Sequence, residues 1–212
     1  MADELARFLD PLPLIAVLRG IAHEEIAAVG ATLVMHDFRV IEVPLNSPRP
    51  FESIRNLAAD FGDRCLVGAG TVIDVADVAR VRDAGGRLIV MPHADGSVIR
   101  EAKRQQMVCL PGVATITEAF AALAARADGL KMFPAELLSA AVLKAWRAVL
   151  PKDVLVFPVG GIRPDTLAPY WAAGANGFGT GSNLYTPGAS TASIASAAAA
   201  YAAAFRALPR RV

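Results

Sequence analysis

The feature that most restricts the fold of this sequence is a regular alternation of short apolar runs and longer amphipathic stretches. The apolar runs are nearly continuous, which is typical of parallel strands buried on both faces. Each is followed by a polar or Pro/Gly break and then by an Ala-rich stretch with helical periodicity. The runs are PLIAVLR, RVIEVPL, CLVGAGT, RLIVMPH, MVCLPGV, DGLKMFP, VLVFPVGG and NGFGTGS, and the helical stretches are 23–35, 51–61, 74–84, 95–106, 115–126, 139–149, 164–173 and 189–206.

Eight strand–helix pairs that repeat every 20 to 26 residues predict an α/β fold whose parallel sheet closes into a (β/α)8 TIM barrel. No Pro/Gly/Ser-rich linker divides the chain, so residues 1–212 are expected to form a single domain. An amphipathic N-terminal helix and an Ala-rich C-terminal helix with a short basic tail, which includes Arg210 and Arg211, complete the prediction. The alternative is a doubly wound open sheet, although no G-x-G-x-x-G follows the first strand.

Composition and charge exclude several classes of protein. With 54% apolar and 19% charged residues, the chain is too apolar to be disordered. Its 21 basic and 20 acidic residues give a net charge of +1, so no nucleic acid or membrane partner is expected. The N-terminus is acidic and no apolar run reaches about 18 residues, which predicts neither a signal peptide nor a membrane anchor. Cys65 and Cys109 lie in apolar runs, and we interpret them as reduced thiols of a cytoplasmic protein.

Polar side chains stand where the predicted strands end. Arg19 closes IAVLR, Glu42 lies in RVIEV, Thr71 follows VGAG, and Lys131 interrupts the apolar run GLKMFPAE. Because strand side chains alternate in direction, and because chemistry in such a barrel gathers at the carboxyl ends of the strands, we expect these four residues to converge there.

A buried lysine in such a place has two interpretations. Arg19, Glu42 and Lys131 could form an ion-pair network that only fills the barrel. However, two cations and one carboxylate leave a positive surplus that suits a bound carboxylate and lowers the pKa of Lys131. A neutral lysine attacks ketones and forms a Schiff base, which is the chemistry of a class I aldolase. Glu42 would then carry protons, and Arg19 would hold the substrate carboxylate.

Glycines follow the last two strands, in VGGI (Gly160 and Gly161) and in GTGSNLY, residues 179–185. In barrels of this type, bare amides at these two strand ends commonly hold phosphate. Either glycine pair alone could serve only a tight turn, whereas both together favour a phosphorylated 2-keto acid as substrate.

With these motifs in order, the sequence resembles the 2-keto-3-deoxy-6-phosphogluconate and 2-keto-3-deoxy-6-phosphogalactonate aldolases. The resemblance runs from about residue 13 to residue 188, through PLIAVLRGI, IEVPLNSP, VGAGTV, LPGVATITEAF, LKMFPAE, VGGI and GTGSNLY. It implies a (β/α)8 barrel that forms a homotrimer and works without metal or other cofactor, on a phosphorylated 2-keto-3-deoxy acid that yields pyruvate. By motif, it implies a Schiff-base lysine, Lys131; an acid/base, Glu42; holders of the pyruvyl carboxylate, Arg19 and Thr71; phosphate contacts, Gly160, Gly161, Gly181 and Ser182; and pocket-shaping residues, Pro92 and Pro111.

Three details of this resemblance favour the galactonate branch, with glyceraldehyde 3-phosphate as second product. Asn46 stands where the gluconate enzymes place an arginine, so Arg19 would take over its work. Val159 stands where they often carry a threonine, and GSNLY differs from their GGSWL type. KMFPAE and His93 are closer to the gluconate pattern, which keeps the C4 epimer, 2-keto-3-deoxy-6-phosphogluconate, as the alternative substrate.

Three other functions are weighed against the aldolase. A metal-dependent class II aldolase and a metal-dependent phosphosugar epimerase both need clustered histidines, whereas His23, His36 and His93 are far apart in the sequence. A non-catalytic phospho-metabolite-binding barrel would not need a reactive lysine. The other lysines, Lys103, Lys144 and Lys152, are expected to be solvated.

Overall fold

The computed structural model describes residues 2–209, so Arg210 and Arg211 of the predicted basic tail lie outside the described residues. Within this range the chain alternates strands and helices as the sequence predicts. The strands are β1 (Leu14–Val17), β2 (Val40–Pro44), β3 (Leu66–Gly70), β4 (Leu88–Val90), β5 (Val108–Leu110), β6 (Gly112–Val113), β7 (Leu130–Met132), β8 (Val156–Pro158) and β9 (Phe178–Thr180). The helices are α1 (Ala2–Leu9), α2 (Ile26–Met35), α3 (Pro50–Phe61), α4 (Val75–Asp83), α5 (Gly96–Arg104), α6 (Ile116–Ala124), α7 (Ala140–Arg147), α8 (Leu167–Ala172) and α9 (Thr191–Arg206).

Several helices begin at residues that satisfy their free N–H groups. The Asp74 carboxylate accepts a hydrogen bond from the backbone N–H of Ala76 at the start of α4, and Asp95 does the same for α5. Thr115 and Glu118 form a reciprocal capping box at α6. These caps fix where each helix leaves the preceding strand end, and they stabilise the helix starts.

The strands are all parallel and form two sheets. The larger one is a half-barrel with the order β5-β4-β3-β2-β1-β9, and the smaller has the order β6-β7-β8. An isolated parallel bridge between Val159 and Gly179 connects the end of β8 to β9. The predicted α/β class with a parallel sheet is therefore confirmed.

The fifth predicted strand, MVCLPGV, is divided in the structure. Pro111 separates β5 from β6, because a proline has no N–H to donate to a neighbouring strand. β5 pairs with β4 on one side, and β6 pairs with β7 on the other. The carbonyl of Pro111 still accepts a hydrogen bond of 2.9 Å from the backbone N–H of Lys131. The break therefore changes the strand's partner without leaving β7 unsupported.

Two hydrophobic clusters lie on opposite faces of the strands. The outer cluster packs the helices on the sheets, with Ala16 of β1 and Ile41 of β2 among its members. The inner cluster joins strand residues, including Ile15 and Val40, with Leu5 and Phe8 of α1. Its other members are Leu66, Leu88, Val90, Val108, Leu110 and Phe157. Helix α1 thus packs its apolar face against the amino-terminal ends of the strands.

The expectation that Lys103 is solvated is wrong, because its side chain is buried. Its side chain is only 10% exposed and forms an ion pair with Asp128, which is 8% exposed. The Nζ of Lys103 also donates to the carbonyl of Met107, and Asp128 accepts a hydrogen bond of 2.9 Å from the N–H of Cys109. This buried network links α5, β5 and the segment before β7, and its polar groups satisfy one another.

No helix within residues 2–209 combines the length and hydropathy that a membrane-spanning helix requires. Cys65 and Cys109 are both free and buried. Trp146 is buried in α7, and the ring of Trp171 in α8 packs edge-on against Phe205 of α9. Both tryptophans therefore serve packing of the helical layer.

Candidate active site

A cavity of about 480 Å³ lies at the carboxyl ends of β1, β7, β8 and β9. This is the place where parallel α/β proteins hold ligands. Six of the residues predicted from the sequence line it: Arg19, Lys131, Gly160, Gly161, Gly181 and Ser182. The others are Val17, Gly20, Phe133, Glu136, Val159, Ile162, Asn183, Tyr185, Thr186 and Pro187.

Lys131 occupies the middle of β7, where the strand pairing holds it on both sides. Gly112 of β6 and Phe157 of β8 are its register partners. Its side chain enters the cavity although only 4% of the residue is exposed, and Nζ lies 4.7 Å from the ring centroid of Phe133. Burial lowers the pKa of this amine, and the positive charge of Arg19 adds to the decrease. The negative charge of Glu42 opposes the shift, so the pKa of Lys131 falls because desolvation outweighs the attraction to Glu42.

Glu42 lies in β2, in register with Val17 and Gly68, and is 1% exposed. Burial raises the pKa of its carboxyl to about 7, against the opposing charges of Lys131 and Arg19. Its Oε2 atom accepts no hydrogen bond from any residue that the structure describes. A carboxyl with a pKa near neutrality and a free oxygen is suited to both taking and returning a proton.

Gly70 makes room for this carboxyl. A Cβ at position 70 would have the three carboxyl atoms of Glu42 within 2.5 Å, which is closer than such atoms can approach. The last residue of β3 must therefore be a glycine, because any side chain there would clash with Glu42 of the neighbouring strand β2. The VGAG motif thus supports Glu42 as well as preceding Thr71.

Arg19 follows β1 at the mouth of the cavity and is exposed. Its Nη1 donates hydrogen bonds to Asn46 Oδ1 at 2.9 Å and to Thr71 Oγ1 at 3.4 Å. Thr71 has a φ of 57°, a left-handed conformation that is rare for a β-branched residue. Such strain is characteristic of functional sites, and here it occurs at the residue that Arg19 contacts.

The glycine-rich end of the cavity is formed after β8 and β9. Gly160 and Gly161 have φ angles of 103° and 63°, which favour glycine. The amide of Asn183 donates a hydrogen bond to the carbonyl of Ile162 at 3.2 Å, which joins the two loops. Tyr185 Oη donates to Glu25 Oε2 at 2.9 Å and holds the loop after β9 against the one after β1.

The structure therefore brings together what the sequence placed far apart, with two differences. Glu42 and Thr71 are not among the residues that line the cavity, although the charge of Glu42 acts on Lys131 and Thr71 accepts a hydrogen bond from Arg19. Pro92 and Pro111 do not line it either, and Pro111 instead supports the backbone of Lys131.

Sequence reasoning missed Glu136, which lines the cavity although it belongs to the quoted motif KMFPAE. Tyr185, inside GTGSNLY, was also not singled out. Within the described part of the chain, no three His, Cys, Asp or Glu side chains are grouped in a way that could hold a metal ion.

A family model for aldolases, described as KDPG and KHG aldolase, matches residues 5–196 of this chain. The chain belongs to this aldolase family. The resemblance inferred from the motifs is thereby confirmed, and the enzyme class with it.

Within the KDPG and KHG aldolase family, the chain is more similar to some members than to others. It is 47% identical over 196 residues to a probable 2-dehydro-3-deoxy-6-phosphogalactonate aldolase of Rhizobium meliloti (strain 1021). The matched region covers 92% of this chain and 92% of that enzyme. It is 44% identical over 195 residues to the 2-dehydro-3-deoxy-6-phosphogalactonate aldolase of Escherichia coli (strain K12), with 92% and 95% covered. A 2-dehydro-3-deoxy-phosphogluconate aldolase of Pseudomonas aeruginosa is 30% identical, with 80% and 76% covered.

Solved structures agree with the aldolase family of this chain. A native KDPGal structure superposes with a TM-score of 0.91 at 44% identity, over 92% of this chain and 95% of that one. The same score and identity apply to a cube-shaped protein cage designed by fusing symmetric oligomeric domains, over 92% of this chain and 73% of that one.

Proposed function

We propose that this aldolase cleaves 2-dehydro-3-deoxy-6-phosphogalactonate to pyruvate and D-glyceraldehyde 3-phosphate through a Schiff base on Lys131. The observation that carries the proposal is the buried Lys131 amine, whose pKa is lowered, inside a cavity that also contains Arg19 and the glycine-rich loops. An amine in this state has the free electron pair that attack on a ketone requires.

The reaction begins with attack of Lys131 Nζ on the C2 ketone. The resulting carbinolamine takes a proton from Glu42, loses water and becomes a protonated imine, with Arg19 and Thr71 holding the neighbouring carboxylate. Nη1 of Arg19 is already oriented by Asn46 and Thr71, which reduces the entropy lost when the carboxylate binds.

Glu42 then removes the proton of the C4 hydroxyl, directly or through a water molecule. The C4 oxygen forms the aldehyde as the C3–C4 bond breaks, and the bonding electrons move to the imine and give an enamine. Glyceraldehyde 3-phosphate leaves. Protonation of the enamine at C3 by Glu42 regenerates the protonated imine. Its hydrolysis by water releases pyruvate and the free amine and returns a proton to Glu42. The raised pKa of Glu42, about 7, suits a group that both accepts and donates a proton in one cycle.

The assignment to the galactonate substrate is supported by two observations. Identity is 44–47% to the two galactonate enzymes and 30% to the gluconate enzyme. Val159 lines the cavity next to Gly160 and offers no hydrogen bond to the sugar chain. We assign the phosphate to Gly160, Gly161, Gly181 and Ser182.

The proposal includes a complete (β/α)8 barrel formed by residues 1–212 as one domain. The bridge between Val159 and Gly179 and the backbone bond from Lys131 to Pro111 support it, because they connect the edges of the two sheets. The family resemblance supports a homotrimer, and the designed cage is built from symmetric oligomeric domains. The two free buried cysteines favour a cytoplasmic location.

Reductive trapping tests the mechanism. The protein is incubated with pyruvate and borohydride, its intact mass is measured, and the modified peptide is mapped. We expect a single adduct on Lys131. Lys144→Met, at an exposed lysine of α7, is the matched control and should form the adduct as the unmodified protein does, whereas Lys131→Met should form none.

Cleavage assays on both C4 epimers with the same preparations test the substrate. Higher kcat/KM on the galactonate epimer supports the assignment, and higher kcat/KM on the gluconate epimer replaces it with the alternative substrate. Ordinary cleavage by Lys131→Met would refute the mechanism. Binding of the substrate without an adduct or cleavage would mean that the protein is a phospho-metabolite-binding barrel.

A further inference from the structure

A carboxylate lies at the end of the cavity assigned to phosphate. Glu136, four residues after Met132 of β7, lines the cavity together with Gly160 and Gly161. Its side chain lies across both glycines: a Cβ at Gly161 would be 2.6 Å from Glu136 Cγ and 3.0 Å from Cδ, and a Cβ at Gly160 would meet Oε2. Any side chain at these glycines would displace Glu136.

The cations of the cavity are elsewhere. Among the described residues that line it, Arg19 and Lys131 are the only ones with a basic side chain. Arg19 is bonded to Asn46 and Thr71, which follow β2 and β3, on the side away from β8. Lys131 interacts electrostatically with the carboxyl of Glu42 in β2. The glycine-rich end therefore combines neutral donors, such as the Ser182 hydroxyl, with one negative side chain.

The loop that carries Glu136 is held in place. Tyr170 Oη of α8 lies 2.8 Å from the carbonyl of Ala135 and 3.0 Å from that of Leu138, one on each side of Glu136. The N–H of Ala135 also donates to the carbonyl of Val159 at 2.8 Å. The backbone on both sides of the carboxylate is thus fixed relative to β8, so Glu136 remains beside the glycines although it is exposed.

We propose that Glu136 is a binding-site residue whose charge opposes the phosphate group at Gly160 and Gly161 and so sets the affinity for phosphorylated ligands. This inference rests on the proposed function, because it assumes that phosphate binds there. The repulsion weakens the hold on every phosphorylated ligand and speeds the departure of the phosphorylated aldehyde after C3–C4 cleavage. The site therefore binds phosphate more weakly than its glycine amides and Ser182 would without Glu136.

The test uses Glu136→Gln, which keeps the side chain's size and removes its charge. The probe is inorganic phosphate, measured as a competitive inhibitor of cleavage. We expect its inhibition constant, and the KM of the phosphorylated substrate, to fall about three- to tenfold, as removal of one nearby like charge at partly exposed positions predicts.

Two further readouts separate charge repulsion from a merely structural role. The difference between Glu136→Gln and the unmodified enzyme should shrink as salt is raised to about 1 M, because salt screens the repulsion. It should also shrink from pH 8 to pH 5.5, because both inorganic phosphate and the phosphate ester of the substrate take up a proton in this range and lose one of their two negative charges. Glu101→Gln of α5, at a half-buried glutamate that lies outside the cavity and pairs with Arg104, is the matched control and should leave both constants unchanged.

An unchanged or weaker inhibition by phosphate in Glu136→Gln would overturn this inference, as would a gain that does not respond to salt. The pyruvate adduct on Lys131 separates this failure from a failure of the proposed function, because pyruvate has no phosphate. If the adduct forms equally in the unmodified enzyme and in Glu136→Gln while phosphate inhibition is unchanged, the Schiff-base mechanism is supported and only the proposed role of Glu136 is refuted. If no adduct forms in either protein, the proposed function itself has failed.

Discussion

The substitution Gly70→Ala tests whether the position of Glu42 sets the rate of the reaction. The new methyl group would meet the three carboxyl atoms of Glu42 within 2.5 Å, whereas ordinary contacts begin at about 3.4 Å. The carboxyl must therefore move by about 1 Å or more. A displacement of this size at a reacting group costs about 100-fold in rate, or about 3 kcal/mol in activation free energy. We expect kcat to fall by that factor while the fold is retained, because only a side-chain end must move.

The assay is pyruvate release under saturating substrate, with thermal unfolding of each protein measured in parallel. Gly68→Ala is the contrasting variant, since a Cβ there would meet the backbone carbonyl of Leu88. It should lower the melting temperature strongly, whereas Gly70→Ala should not. The reductive adduct with pyruvate should still form on Lys131 in Gly70→Ala.

A double-mutant comparison identifies the route of the effect. If Gly70→Ala acts by moving Glu42, it should add little to the loss already caused by Glu42→Gln. Activity of Gly70→Ala within about threefold of the unmodified enzyme would refute the reasoning, and so would full additivity of the two losses.

Three further outcomes follow from the structure. The raised pKa of Glu42, about 7, means that its stabilising contribution is complete below pH 4.5 and is lost as the pH rises through 7. Urea unfolding at pH 5 and pH 8 should therefore show a pH-dependent loss, at most about 3 kcal/mol, that is absent in Glu42→Gln; an equal pH dependence in both proteins would contradict this. Val159→Thr should shift the ratio of kcat/KM values about three- to tenfold towards the gluconate epimer, and an unchanged ratio would remove Val159 from substrate choice. Lys103→Met leaves the charge of Asp128 buried and unpaired, and should cost about 3 kcal/mol or more in the free energy of unfolding, with activity per folded molecule retained.

The elements of the fold could be predicted from the sequence because they depend on local patterns. The predicted helix 51–61 is found at Pro50–Phe61, and the predicted helix 189–206 at Thr191–Arg206. The division of the fifth strand was missed because an apolar run does not show which neighbour each half contacts, although Pro111 was the available signal.

The candidate site was predictable in its residue types and less so in its contacts. Lys131, Glu42 and Arg19 stood out because charged residues are rare in apolar runs. The ion pair of Lys103 joins residues 25 positions apart, and the bond from Arg19 to Asn46 joins residues 27 positions apart, so no local pattern could reveal them. Glu136 was missed because an exposed glutamate after a proline resembles an ordinary loop residue.

Helix α1 also determines the route by which substrate and products enter and leave the enzyme. Leu5 and Phe8 fill the amino-terminal end of the strands behind the catalytic layer, so substrate and both products must pass through the same opening. In the proposed mechanism, the fragment bonded to Lys131 lies deepest, and the phosphorylated fragment lies between it and solvent. Departure must therefore be ordered, with the aldehyde first and pyruvate second. In the direction of synthesis the order is reversed, so pyruvate must enter before the aldehyde closes the way behind it.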